Sequence, residues 1–339
     1  MKAFLERKNI HVSAKTYFID ALGAMAYGLF ASLLVGTILN TIGQQLGIAY
    51  LTDVVWPITQ QATGAAIAVS IAYALQAPQL VLFASAVVGV GAYELGGPIG
   101  VYIATIFATE LGKVVSKETK IDIVITPVVT VLVGMTISTF IGPYIQMLMT
   151  SIGELIMIST NQQPLIMGAL VSTIVGIALT LPISSAAICM MLSLSGIAGG
   201  AATIGCCAQM VGFAVISFKD NGIQGLVAQG LGTSMLQMPN IVRNPKIWIP
   251  PTLASFLLGP LATVLYKMEN TPLGSGMGTS GLVGQIGTFN AMVGKIPTGQ
   301  LVFQIVLLQI VLPAILSYAI YFVMHKKHWI KDGDMKLSS

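Results

Sequence analysis

Thr271-Pro-Leu-Gly-Ser-Gly-Met-Gly-Thr-Ser-Gly-Leu-Val-Gly-Gln-Ile-Gly-Thr-Phe-Asn290 carries six glycines, at 274, 276, 278, 281, 284 and 287, and not one charge. Glycine this dense weakens any regular helix, and the missing charge suits apolar surroundings. Irregular backbone at membrane depth is tolerated only where protein buries it or it lines a water-filled cavity. The segment therefore predicts a re-entrant hairpin beside a cavity. Backbone amides around Gly276 and Gly278, with the side chains of Ser275, Thr279, Ser280, Gln285 and Asn290, would hydrogen-bond a polyhydroxylated solute there. The competing reading is a glycine face for tight helix packing.

Composition agrees with burial in lipid. Of 339 residues, 55% are hydrophobic and 8% charged, against roughly 25% charged in an average soluble protein. Mean hydropathy is +0.85. These values exclude disorder, collagen, coiled coil and a disulfide-stapled scaffold, and leave an all-α polytopic membrane protein. The net charge of +4 lies at chain ends and short loops, so no basic face for nucleic acid exists. Charge-free stretches at 21–52, 54–93, 123–153, 155–218, 221–242, 247–266, 270–294 and 296–325 are each long enough to span. About ten crossings fit them, near 18–46, 57–76, 79–94, 98–112, 123–143, 164–182, 186–216 (interrupted), 222–242, 248–266 and 300–324.

Orientation follows the cations. Lys2, Arg7, Lys8 and Lys15 precede the first span and Lys326, Lys327, Lys331 and Lys336 follow the last, which places both termini in the cytoplasm. Lys113, Lys117 and Lys120 belong on the same side. The first apolar run continues far past a signal-peptide core and is read as a retained span. Cys189, Cys206 and Cys207 lie in apolar sequence as small hydrophobes with no metal-ligand spacing. No G-x-x-x-x-G-K-[ST] loop occurs, and His11, His325 and His328 sit at the two ends, so neither ATP binding nor a histidine proton relay is expected. No cofactor is called for and no catalytic residue is identified.

Within the spans, Ala24, Gly28, Ser32 and Gly36, and again Gly168, Ser172, Gly176 and Thr180, form ridges of small residues for close helix packing or a subunit interface. Glu94 precedes Gly96-Gly97-Pro98, where the helix must break; it is read as an interface residue or as a substrate or proton group. Glu110, one turn before Lys113, is read as a helix-end ion pair. A second polar set, Gln209, Asp220, Asn221, Gln224, Gln229, Gln237, Asn240 and Asn244, supplies uncharged donors and acceptors suited to sugar hydroxyls. Gln209, Asn221, Gln229, Asn240 and Asn244 join Glu94 and the glycine-rich residues as the candidate substrate site.

Several strings resemble a known family: Thr180-Leu-Pro-Ile-Ser-Ser-Ala-Ala-Ile188, Leu95-Gly-Gly-Pro-Ile-Gly100 with Glu110-Leu-Gly-Lys113 and Ser116-Lys-Glu-Thr-Lys-Ile-Asp122, and Asn244-Pro-Lys-Ile-Trp-Ile-Pro250. Together they resemble the membrane (EIIC) component of bacterial phosphotransferase sugar transporters, nearest to the stand-alone, perfringolysin O regulator-like branch. The resemblance implies a homodimer in the cytoplasmic membrane. Each protomer would have an N-terminal dimerisation part, 1–160, a C-terminal transport part, 161–325, with two re-entrant hairpins, and a cytoplasmic tail, 326–339. Unlike glucose-type EIIC proteins, the chain has no Gly-Ile-Thr-Glu-Pro-like acid and no mid-membrane His. The leading expectation is a permease for a small sugar-like solute working by alternating access, with separate IIA/IIB proteins delivering phosphate if transport is coupled to phosphorylation. A non-transporting membrane sensor and a proton-coupled transporter using Glu94 are the alternatives. Liposome flux separates the first, and pH-dependent uptake lost in Glu94→Gln the second.

Overall fold

The computed structural model describes residues 2–337; Met1, Ser338 and Ser339, with the side chains of Lys2 and Ala3, lie outside the described residues. Every named element is helical, and no strand forms among the described residues. Six helices are long and apolar enough to cross a membrane: Thr16–Leu46, Gln79–Val115, Asp122–Thr160, Gly196–Ile216, Pro245–Leu265 and Thr298–Lys326. Helices suit lipid because they satisfy their own backbone. The chain divides into two compact units, Met1–Leu148 and Met149–Ser339.

The first unit contains α1 (Lys2–Arg7), α2 (Thr16–Leu46), α3 (Trp56–Ala74), α4 (Gln79–Val115) and the start of α5 (Asp122–Thr160). Lipid tails are as apolar as leucine, so helices here gain by approaching closely. The predicted ridge on α2 does this: a Cβ on Gly28 would stand 2.7 Å from Ala66 O, and one on Gly36 would stand 2.0 Å from Thr59 Oγ1. Between α3 and α4, Gly64 and Gly89 meet so closely that a Cβ on either would lie 2.2 Å from the other's carbonyl oxygen. The ridge is thus spent on packing within the protomer.

α4 breaks where Gly96-Gly97-Pro98 predicts. Gly97 adopts φ 56°, ψ −154°, a conformation only glycine takes readily, and Pro98 opens the next limb. Gly100 then packs on Ala92 and Gly112 on Val81, so the two limbs run side by side in opposite directions. Two separate stretches, 79–94 and 98–112, were the expectation, and they meet at this hinge.

The second unit contains the end of α5, α6 (Pro164–Thr180), α7 (Ser185–Met191), α8 (Gly196–Ile216), α9 (Phe218–Val227), α10 (Met238–Arg243), α11 (Pro245–Leu265), α12 (Pro272–Ser275), α13 (Val283–Met292) and α14 (Thr298–Lys326). α8 is almost wholly buried, which explains its run of Gly, Ala and Cys: a Cβ on Gly205 would lie 1.8 Å from Ser172 O of α6. Ser172 Oγ in turn donates to Ser255 O of α11 at 2.7 Å. On one side of α8, Cys206 and Met210 pack with Val171 and Val175; on another, Ile204 packs with Leu258, Met268 and Leu308. All three cysteines are free and buried.

One expected crossing takes a different form. Residues 222–242 do not make a single helix: α9 is broken at Gly222 (φ 59°, ψ −155°), a π turn covers Ala228–Gly232, and a 3-10 turn, Ser234–Gln237, leads into α10. Gly222, the extended Thr233 and Pro239 interrupt the hydrogen-bond ladder that an apolar run alone would sustain.

Candidate functional site

The glycine-rich segment folds as a short helix, a tight turn and a second helix. Thr271 caps α12 through a bond from Gly274 N, and Gly278 (φ 54°), Gly281 (φ 52°) and Leu282 (φ 60°) take left-handed backbone before α13 begins. Glycine adopts that conformation freely; for Leu282 it costs about 1 kcal/mol or more. The segment is also pressed onto its neighbours. Ser185 Oγ donates to Gly276 O at 2.7 Å, and a Cβ on Gly278 would stand 2.7 Å from Cys206 Cβ.

Its polar side chains divide into two classes. Ser275 Oγ donates to Leu194 O and Thr271 O at 2.7 and 2.8 Å, and Thr279 Oγ1 donates to Gly230 O, tying the segment to the π turn after α9. Ser280 Oγ and Gln285 Oε1 are buried with no hydrogen-bond partner, while Gln285 Nε2 reaches Cys207 Sγ at 3.5 Å. Each buried polar atom left unmatched costs about 1–3 kcal/mol. Asn290, on the outer side of α13, is exposed.

The amide set is organised differently. Gln209 on α8 braces three elements: it donates to Thr252 Oγ1 at 3.1 Å and accepts from Trp248 Nε1 at 2.9 Å and Thr180 Oγ1 at 3.2 Å. Gln229, Gln237 and Asn240 form a ladder in which Asn240 donates to Gln237 at 2.8 Å and Gln237 to Gln229 at 2.9 Å. Gln229 spends its amide nitrogen on Ser217 Oγ at 2.8 Å and Gly225 O at 3.0 Å, while the other amides reach the C-terminal tail. Gln237 donates to Met335 O at 2.9 Å, Asn240 to Lys336 O at 3.0 Å, Asn221 to Met335 O at 2.8 Å, and Asn244 to Asp334 Oδ2 at 2.8 Å. Asp220 accepts from Gly333 N and Met335 N at 3.0 and 3.2 Å. Ile330 and Met335 of the tail are both buried. Asp332 pairs with Lys219 at 2.6 Å and with His325 at 3.1 Å; the bond from Lys219, then that from His325, holds its carboxyl below the ordinary value, and the same bond raises Lys219.

Sequence reading grouped Gln209, Asn221, Gln229, Asn240 and Asn244 with the glycine-rich residues. The structure places them all in the second unit, with Asn221, Gln229, Asn240 and Asn244 around the tail. Glu94 is an exposed residue of the first unit, directly ahead of the α4 break. Sequence reading missed Asn270, whose Nδ2 reaches Thr203 Oγ1 at 2.5 Å, Gly284 O at 3.0 Å and Thr288 Oγ1 at 3.1 Å. It also missed Gln309, which donates to Thr288 Oγ1 at 2.8 Å and whose Oε1 is buried without a partner. For Gln309 the available signal was an uncharged amide inside an otherwise apolar run; Asn270, directly after Glu269, gave no such signal.

The family described as "Phosphotransferase system, EIIC" matches residues 19–337, nearly the whole chain. The chain belongs to the phosphotransferase system EIIC family. The family is that of the membrane components of sugar phosphotransferase systems, and with several apolar helices the chain is a multi-pass plasma-membrane protein of the sugar-transport class. No curated protein and no solved structure matches it.

Proposed function

We propose that this EIIC protein binds a neutral sugar at the junction of Ser275, Gly276, Gly278, Thr279, Ser280 and Gln285 and moves it by alternating access. The observation that carries the reading is the pair of buried, unmatched atoms, Ser280 Oγ and Gln285 Oε1, beside left-handed backbone at Gly278 and Gly281. A sugar hydroxyl both donates and accepts, so it matches a serine hydroxyl and an amide oxygen without any charge. The scarcity of charge favours this class over amino acids or metal ions.

In this reading Asn221, Asn240 and Asn244 support the site, because the tail uses their hydrogen bonds, Gln229 supports it through Gln237, Ser217 and Gly225, and Gln209 braces α8. Residues 1–160 are assigned to dimerisation, 161–325 to transport with two re-entrant hairpins within a ten-crossing plan, and 326–339 to a cytoplasmic tail, with both termini inside. Phosphate would come from a separate IIB protein, since no phosphoryl-carrying residue is identified here.

The test is uptake by proteoliposomes offered a panel of labelled neutral sugars. Saturable uptake of at least one is expected. Tight sugar binding with no flux, with or without the IIA/IIB proteins, contradicts the permease reading.

A further inference from the structure

Three parts of the first unit end together at one small cavity. The end of α1 brings Arg7 and Lys8, the α3–α4 turn brings Gln76, and the end of α4 with the turn beyond it brings Lys113, Lys117 and Glu118, around a volume of about 420 Å³. This convergence is notable in a chain with so few charges. Four cations meet one lining carboxylate; Glu110, 3.2 Å behind Lys113, and Asp122, whose carboxylate acts on Lys8 and Lys117, offset two more, so an excess of one positive charge remains.

Two of these cations are set into protein. Lys113 is 1% exposed and Lys8 9%. Their partners are specific: Lys113 donates to Asn9 O at 3.0 Å, Lys8 donates to Ser116 O, and Glu118 is shared between Arg7 at 2.8 Å and Lys8 at 2.5 Å. Arg7 spends one nitrogen on Glu118, and among the described residues the Lys117 ammonium makes no hydrogen bond, its backbone N–H alone bonding Asp122. A single carboxylate bridging two cations, in a cavity with donors to spare, occupies a position that an anion with more oxygens would fill better.

The cavity also lies near the ends of two apolar helices. α2 begins at Thr16 and α4 ends at Val115, so Arg7, Lys8 and Lys117 sit just beyond the ends of two candidate spans. Where such helices cross a bilayer, lipid phosphate groups lie level with the helix ends, and basic pockets between helix ends attract them.

We propose that the cavity bounded by Arg7, Lys8, Lys113 and Lys117 binds a phosphate-bearing anion, with Glu118 as its built-in competitor. The phosphate belongs either to an anionic lipid headgroup or to a soluble ion. In both cases the Arg7 fork and the Lys117 ammonium receive its oxygens as Glu118 swings aside. The site is in the first unit and is independent of the sugar reading.

The experiment uses the full chain in neutral detergent, with dioctanoyl phosphatidylglycerol and inorganic phosphate as separate probes, read by isothermal titration. The wild type is expected to bind at least one of them. Replacing Arg7 and Lys117 together by alanine should weaken binding at least tenfold, while Glu118→Gln should strengthen it about threefold. A purely structural network predicts the opposite sign for Glu118→Gln, because losing the bridge would loosen the cavity. Binding of the lipid without competition from phosphate assigns the site to headgroups, and binding of phosphate that displaces the lipid assigns it to the free ion. Absence of binding by both probes, or wild-type affinity in the Arg7/Lys117 variant with unchanged thermal unfolding, overturns the proposal.

Discussion

The glycine-rich segment 271–290 and the amide-rich stretch 217–244 look alike in sequence, both uncharged in their centres, polar and broken by glycine. In the folded chain they are opposites. The amide stretch is saturated: its ladder closes on itself and on the backbone of residues 329–337. The glycine-rich segment keeps Ser280 Oγ and Gln285 Oε1 unmatched while held as rigidly. Polar residues in a membrane protein therefore mark a binding site only where their hydrogen-bonding capacity is left over; elsewhere they are internal fasteners.

The sharpest way to break the comparison is through the two backbones. Gly278→Val would force a side chain onto Cys206 from a left-handed residue, and a loss of about 3 kcal/mol or more is expected, read as a large fall in the thermal unfolding midpoint and lost uptake. Gly230→Ala in the amide stretch should stay within about 1 kcal/mol, since its nearest neighbour would be Ala214 Cβ at 3.5 Å. Equal effects would mean that the two segments are packed alike.

Next in size is the tail. Met335 is 1% exposed, so Met335→Asp buries a charge, and the expected result is an undocked tail that trypsin cleaves at Lys331 and Lys336 while the rest of the chain stays intact. A tail as resistant as that of the wild type would remove it from the account of the amide ladder.

A smaller effect concerns pH. Asp332 has a folded-state pKa below its ordinary 3.8, so the docked tail binds fewer protons than the released one, and its contribution is present above that value and lost as pH falls through the lower folded value. The hydrogen-exchange protection factors of residues 329–337, corrected for intrinsic rate, should therefore be unaffected by this group between pH 7 and 5 and fall only below about pH 4. In Asp332→Asn that acid-side fall should shrink.

Much of this contrast was legible in the sequence, and the rest was not for a physical reason. Gly96-Gly97-Pro98 announces a break because no other residue tolerates φ 56° with ψ −154° so cheaply, and the density of glycine at 274–287 announces another. The small-residue ridges gave close packing correctly. The amide ladder could not be resolved because its partners lie about 100 positions away: Gln237 meets Met335 at a separation of 98 residues and Asn221 meets it at 114. Residue types declare capacity, whereas the fold decides how that capacity is spent. For the same reason the apolar run 222–242 read as a crossing, although it folds as short pieces around Gly222 and Thr233.

Sugar affinity measured side by side in Gln285→Ala and Asn240→Ala tests the central claim most directly, using whichever sugar the proteoliposome screen selects. The account predicts about tenfold weaker binding for Gln285→Ala, equivalent to about 1.4 kcal/mol, and a change of less than about twofold for Asn240→Ala. Unchanged affinity in Gln285→Ala with a marked loss in Asn240→Ala would contradict it and move the sugar to the ladder now filled by the tail.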